Sequence, residues 1–132
     1  MIYLDTSVAL AHLLAEDRAP PPELWTETLV SSRLIEYELW TRISARGLSS
    51  SHGEAVREVV SRIALLELAP TVLSRALEPF PVGVRTLDAI HLASADFLRS
   101  QRQSIEIATY DERLVFAARK LGFAISRFSA LT

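Results

Sequence analysis

Four acids stand where their chemistry could be shared: Asp5, Glu38, Asp88 and Asp111. Carboxylates are hard oxygen donors and suit Mg2+ or Mn2+, which take oxygen ligands from acids, waters and substrate phosphate. Crowded together without a cation, they would repel one another, and some would take up protons. A bound cation relieves that repulsion, activates a water and stabilises charge on a phosphodiester. Each acid also has a plainer role open to it. Asp5 and Asp111 could cap helices, Asp88 could favour a helix dipole, and Glu38 could be a solvated helix position.

The elements that must position these acids can be read from the pattern. Ile2-Tyr3-Leu4 is a short apolar run that stops at Asp5, which predicts a buried strand and then a helix over about 7–15. Pro20-Pro21-Pro22 breaks the chain and can open a short helix carrying Leu24 and Trp25. A second strand is expected over 28–31. A helix capped by Ser32 should follow, running through Glu38 to about Arg46 and ending at Gly47. Ser51 to Glu54 has capping-box spacing and predicts the start of a helix with Val56, Val59, Val60 and Ile63 on one face. A short strand over 65–68 and a helical stretch from Pro70 towards Pro79 and Pro81 come next. The last third predicts a helix over 86–99, a strand over 104–109, a helix over 111–121 stopped by Gly122, and a strand over 123–126. Alternating strands and helices imply an α/β fold with a central parallel sheet covered on both faces. Asp5 and Asp111 then sit at carboxyl ends of strands, where open α/β sheets bind ligands, and they converge if those strands are neighbours.

The composition bounds the reading. The 132 residues suit a single domain over 1–132. With 49% hydrophobic and 23% charged residues, the chain is globular rather than disordered. A net charge of -2 argues against a general nucleic-acid coating protein. Lys120 is the only lysine, so basic charge is almost all arginine. That suits bidentate phosphate contacts, although genome composition produces the same bias. The absence of cysteine excludes disulfides and Cys-based zinc sites. The N-terminus has no basic region before its first acid, so no signal peptide is expected. No apolar run approaches the roughly 20 residues of a membrane helix. No membrane role is expected, and a cytoplasmic location is the default.

Several residues compete with the four acids for attention. Glu36 lies about 200° around the helix from Glu38, so both cannot face one site. Asp96 follows Asp88 by about two turns and could support the rim, or pair with Arg99 at i+3. His91 shares part of the Asp88 face, but a packed histidine satisfied by a backbone carbonyl is the expectation. His12 and His52 show no ligand spacing with it, which argues against a zinc hydrolase. Arg85, one turn before Asp88, and Arg113, beside Asp111, are candidates for holding a carboxylate or contacting an RNA phosphate. Trp25, Trp40 and Phe80 could stack on bases, with core or dimer packing the expected use.

Four segments then carry a resemblance. Asp5-Thr6-Ser7 after an N-terminal strand resembles the opening motif of PIN-domain nucleases. The segment Ser31 to Leu39 resembles their second motif, with Glu38 at the acidic position. The segment Leu87 to Ala95, containing Asp88, is similar to the third, and Thr109 to Leu114, containing Asp111, to the fourth. The likeness covers essentially the whole chain in order, and the compact length resembles the VapC-type toxins of toxin–antitoxin pairs. The resemblance implies a three-layer α/β/α PIN-like fold and a Mg2+- or Mn2+-dependent endoribonuclease cutting structured tRNA or rRNA. It also implies a VapB-type antitoxin partner and a homodimer. By motif position it makes Asp5, Glu38, Asp88 and Asp111 the metal-site acids, with Thr6, Ser7 and Thr109 in support.

Two alternatives stay open. One is a phosphatase using Asp5 as a nucleophile, although Ser7 stands where a second acid would be wanted and Lys120 is poorly placed. The other is a catalytically silent PIN-like module that docks a partner protein.

Overall fold

The computed structural model describes residues 1–129. Five strands form one wholly parallel sheet: β1 (Ile2–Leu4), β2 (Leu29–Ser32), β3 (Ala64–Leu66), β4 (Glu106–Ala108) and β5 (Ala124–Ile125). Their order is β3-β2-β1-β4-β5. Helices α1 (Thr6–Leu13), α2 (Leu34–Ala45), α3 (Ser49–Ser61), α4 (Pro70–Ala76), α5 (Thr86–Ser100) and α6 (Glu112–Lys120) cover the sheet. The result is the expected three-layer α/β/α arrangement.

Side-chain alternation along the strands divides the interior into two cores. Ile2, Leu4 and Leu29 face α1, α2 and α3, packing with Val8, Ile35, Leu39 and Val56. Tyr3, Val30 and Ile107 face α5 and α6, packing with Leu92, Leu114 and Ala118. Trp25 and Trp40 pack against the first core and Phe80 against the second.

The chain winds outward from β1 to β2 and β3, then returns to place β4 on the other side of β1. Strand order therefore reverses between β1 and β4. Tyr3 registers with Ile107, and Leu4 with Ala108. This is the neighbour relation that convergence of Asp5 and Asp111 requires.

Boundaries differ from expectation in instructive places. The strand expected over 104–109 narrows to Glu106–Ala108, because Thr109 gives its N–H to the Ser129 hydroxyl. The capping box at Ser51 to Glu54 is not used. The helix starts at Ser49, after Leu48, whose N–H bonds the Ile43 carbonyl. Ser51 instead gives its hydroxyl to the Leu48 carbonyl and meets His52 Nδ1. Gly47 and Gly122 end α2 and α6 with positive φ, as their positions predict. The helical stretch from Pro70 stops at Ala76, and residues 77–85 lead to α5 as a loop.

Asp96 ties α4 to α5. Its two oxygens accept from Arg75 Nε at 2.9 Å and Arg99 Nη2 at 2.8 Å. Burial pushes this carboxyl up, but the two arginines outweigh it and hold it below the usual range. Its stabilisation is thus present above the unfolded value of about 3.9 and is lost as pH falls through the lower folded value. Asp96→Asn is expected to reduce the unfolding free energy by about 1 kcal/mol at neutral pH. Urea melts below about pH 3 should show a smaller loss. Equal losses at both pH values would mean that the charge contributes nothing.

Candidate active site

Asp5 leaves β1 with its N–H bonded to the Ala108 carbonyl of β4, which locks it to the neighbouring strand. Its Oδ2 accepts from Ser7 N at 3.3 Å, Ser7 Oγ at 2.6 Å and Thr109 Oγ1 at 2.8 Å. None of these donors touches Oδ1. Asp5 therefore caps α1 with one oxygen and keeps the other clear of these donors, so capping does not use up the carboxylate.

Asp111 repeats this pattern at β4. It caps α6 by accepting from Arg113 N at 2.9 Å. Its own N–H bonds Thr109 Oγ1 at 3.0 Å. Thr109 is fully buried, and its hydroxyl joins the two strand-end acids. Ser7 Oγ also receives the Tyr110 N–H at 3.0 Å.

Glu38 reaches the same edge from α2. Its Oε1 accepts from Thr6 Oγ1 at 2.8 Å and meets His91 Nε2 at 2.5 Å. Burial pushes Glu38 up, but His91, Thr6 and Arg42 outweigh it and hold the carboxyl below its ordinary value. Glu36 turns away and pairs with Arg33 at 3.5 Å.

Asp88 sits in the first turn of α5, with Arg85 Nε 3.4 Å from its Oδ2. Burial raises its pKa, and the Asp111 and Asp5 charges add to that against the opposing Arg85. Burial is the main cause, and the neighbouring acids add a smaller push.

All four acids line one cleft of about 500 Å3, together with Thr6, Ser7 and Arg85. Arg85 Nη2 also lies 3.7 Å from Asp111, so the guanidinium spans two of the carboxylates. Arg113 lines an adjoining recess of about 280 Å3 that shares Arg85 and Asp88. Asp96, a candidate for rim support, is not among the cleft residues. It lies two turns further along α5 and is held by Arg75 and Arg99.

Sequence reasoning missed the partners of His91, which lies behind the cleft, and the cleft-lining Arg18, Arg42 and Glu16. His91 is 2% exposed and bonds Tyr3 and Glu38, not the backbone carbonyl expected of it. Arg42 lines the cleft one turn after Glu38, and that i+4 spacing was a usable signal. Arg18 lines it from the segment after α1, over the Tyr110 ring at 5.5 Å, and no spacing marks it.

The donor set is entirely oxygen, as a hard cation wants. Among the described residues, no three carboxylate or imidazole groups stand close enough to enclose an ion. An open, acid-lined cleft suits a cation that keeps several waters, which is the habit of Mg2+.

Fold and cleft together define an α/β protein with carboxylates gathered at a topological switch point. The chain belongs to the PIN domain family, whose profile matches residues 2–120. It is 32% identical over 130 residues to Ribonuclease VapC47 of Mycobacterium tuberculosis (strain CDC 1551 / Oshkosh), covering 93% of each chain. It is 33% identical to Ribonuclease VapC46 of Mycobacterium tuberculosis (strain ATCC 25618 / H37Rv), covering 94% of this chain and 95% of that one. Ribonuclease VapC35 of the same strain is 32% identical, with 95% of each covered.

The buried hydroxyl network yields a prediction about stability. Thr109→Val keeps the shape but removes the donor to Asp5 and the acceptor for the Asp111 N–H. Unfolding free energy is expected to fall by about 1–3 kcal/mol, measured by chemical denaturation. An unchanged value would mean that the hydroxyl is dispensable.

Proposed function

We propose that the chain is a metal-dependent endoribonuclease acting as the toxin of a toxin–antitoxin pair. One observation carries this reading: the acids of all four PIN-like motifs line a single cleft at the switch point. Similarity to proteins named ribonucleases supports it.

Asp5, Glu38, Asp88 and Asp111 are the candidate ligands, and because no three of them stand close enough to enclose an ion, some would reach the cation through its waters. A bound Mg2+ or Mn2+ supplies the positive charge and Lewis acidity that phosphodiester hydrolysis needs. The chain's residues divide the remaining work. Ser7 and Thr109 hold one oxygen of Asp5, and Thr6 holds one of Glu38. Thr109 also fixes the Asp111 backbone. Arg18, Arg42 and Arg85 place positive charge on the acidic cleft, where RNA phosphates would otherwise be repelled. Arg113 extends that line in the adjoining recess.

The substrate is RNA, with structured tRNA or rRNA the class that the family resemblance favours. The partner is a VapB-type antitoxin that blocks the cleft. A homodimer is the proposed assembly. An apolar groove of about 680 Å3 between α4, the 77–85 loop and α5 supports it, with Leu77 89% exposed. Among the described residues, no helix is long and apolar enough to cross a membrane.

Purified protein should cut cellular RNA into discrete bands with Mn2+ or Mg2+ and not with EDTA. Asp88→Asn, prepared identically, should lose on the order of a hundredfold or more in rate. Equal cutting by both would trace the activity to a contaminant. Silence of the wild type together with no Mn2+ binding would point to a binding module instead.

Arg18→Gln should weaken RNA binding and reduce the slope of log K against log salt by about 0.7–1. Fluorescence anisotropy on an uncut RNA, in Ca2+ or EDTA, measures this. An unaltered slope removes Arg18 from the RNA path.

A further inference from the structure

A buried polar chain runs from the sheet to the cleft. The Ser32 N–H, at the end of β2, donates to Tyr3 Oη at 3.1 Å. Tyr3 Oη lies 2.7 Å from His91 Nδ1. His91 Nε2 lies 2.5 Å from Glu38 Oε1. Tyr3 and His91 are 1% and 2% exposed, and their rings meet edge-on at 5.8 Å.

The direction of the chain is set by its last member, because the ionised Glu38 carboxylate only accepts and the Nε2 that faces it must carry a proton. In a neutral imidazole Nδ1 is then the acceptor, and Tyr3 Oη, which already receives the Ser32 N–H, gives its own proton to Nδ1. A charged imidazole carries a proton on Nε2 as well, so in either state Nε2 donates to the carboxylate. Thr6 donates to the same oxygen. Neither donor touches Oε2, which keeps its lone pairs for a cation.

We propose that Tyr3 and His91 form a positioning relay, anchored on the β2 backbone, that orients Glu38 for binding a divalent cation. This rests on the reading of Glu38 as a cation ligand. The relay crosses from the α5 side of the sheet to α2, so it couples two helices that no local sequence pattern joins. A histidine kept only for packing would not need both ring nitrogens satisfied along one line that ends at the cleft. The relay also explains how a glutamate in the second turn of a helix, on a side chain with three torsions, holds one orientation. Carboxylates oriented by such partners bind metal better, and loss of the partner typically costs about 10–100-fold in affinity.

The test is Mn2+ binding by titration calorimetry at fixed neutral pH, with urea unfolding of each variant alongside. His91→Leu removes the donor, and His91→Gln restores an N–H near the Nε2 position. Tyr3→Phe removes the hydroxyl but keeps the ring. Glu38→Gln tests the underlying reading. The expected result is an affinity loss of about tenfold or more for His91→Leu, a smaller loss for Tyr3→Phe, and substantial recovery in His91→Gln. These changes should not track the urea midpoints. If Glu38→Gln weakens binding while His91→Leu and Tyr3→Phe bind like wild type, the relay is overturned and the cleft reading stands. If Glu38→Gln itself binds like wild type, Glu38 is no ligand, and the relay falls with that reading. Should His91→Leu fail to fold, Tyr3→Phe decides: wild-type affinity overturns the proposal, and a loss not matched by its urea midpoint upholds it.

Discussion

The parallel pairing of β1 with β4 sets the position of everything at the cleft. Each strand is only three residues long, and each is followed directly by a polar segment that caps a helix. Because the strands run side by side in register, their carboxyl ends fall together. A single buried hydroxyl, on Thr109, can then serve both Asp5 and the Asp111 backbone. A slip of one residue would reverse the faces of Tyr3 and Leu4 and place the acids out of reach of that hydroxyl. Opposite cores fill both sides of β1, so such a slip would also bury the wrong side chains.

Gathering acids at one edge has an electrostatic cost, and the chain meets it unevenly. Glu38 is held charged by His91, Thr6 and Arg42, despite burial. Asp5 has three donors on one oxygen. Asp88 has only the long contact from an exposed Arg85, and its carboxyl is pushed up by burial and by Asp111 and Asp5. The site is thus asymmetric. One side is built into the hydrogen-bonded interior, and the other lacks a matching set of partners. Arg85, spanning Asp88 and Asp111, partly makes up for that with its own charge.

How far the sequence could be read follows from the range of each interaction. Asp5 was legible because an acid directly after a short apolar run marks both a strand end and a helix cap, and Asp111, past Thr109 and Tyr110, was legible as the cap of a helix beyond an expected strand. Helix geometry allowed only one of Glu36 and Glu38 to face the site, motif resemblance chose Glu38, and Glu36 does turn to Arg33. Motif resemblance supplied what periodicity could not, namely that four separate acids belong together. His91 was misjudged because its partner lies 53 residues away on another helix, and its other contact is 88 residues away on β1. Strand order decides such pairings, and periodicity does not encode strand order. Arg18 was invisible for a similar reason, since only the fold returns the segment after α1 to Tyr110. The unused capping box at Ser51 shows the reverse error. A valid local signal lost to a helix that had already begun beside Leu48.

Two groups of arginines stand apart once the fold is known. Arg33, Arg62, Arg75 and Arg99 pair with acids away from the cleft. Arg75 and Arg99 also lie over Phe80 and Phe123, so their planar groups brace helices as well as carry charge. Arg18, Arg42 and Arg85 face the acidic cleft. A net charge of -2 gives no broad field to draw in a polyanion. Positive charge set around an acidic floor acts only at short range, where screening by salt is weakest. Under the proposed reading, RNA phosphates would be sorted by their fit between a few guanidinium groups rather than drawn in by total charge. Lysine would serve that purpose poorly, because a flexible ammonium does not grip a phosphate bidentately. The same planar, forked group that lets arginine brace α4 against α5 also spans carboxylates at the cleft, so one residue type serves both the packing of helices and the charge of the acidic edge.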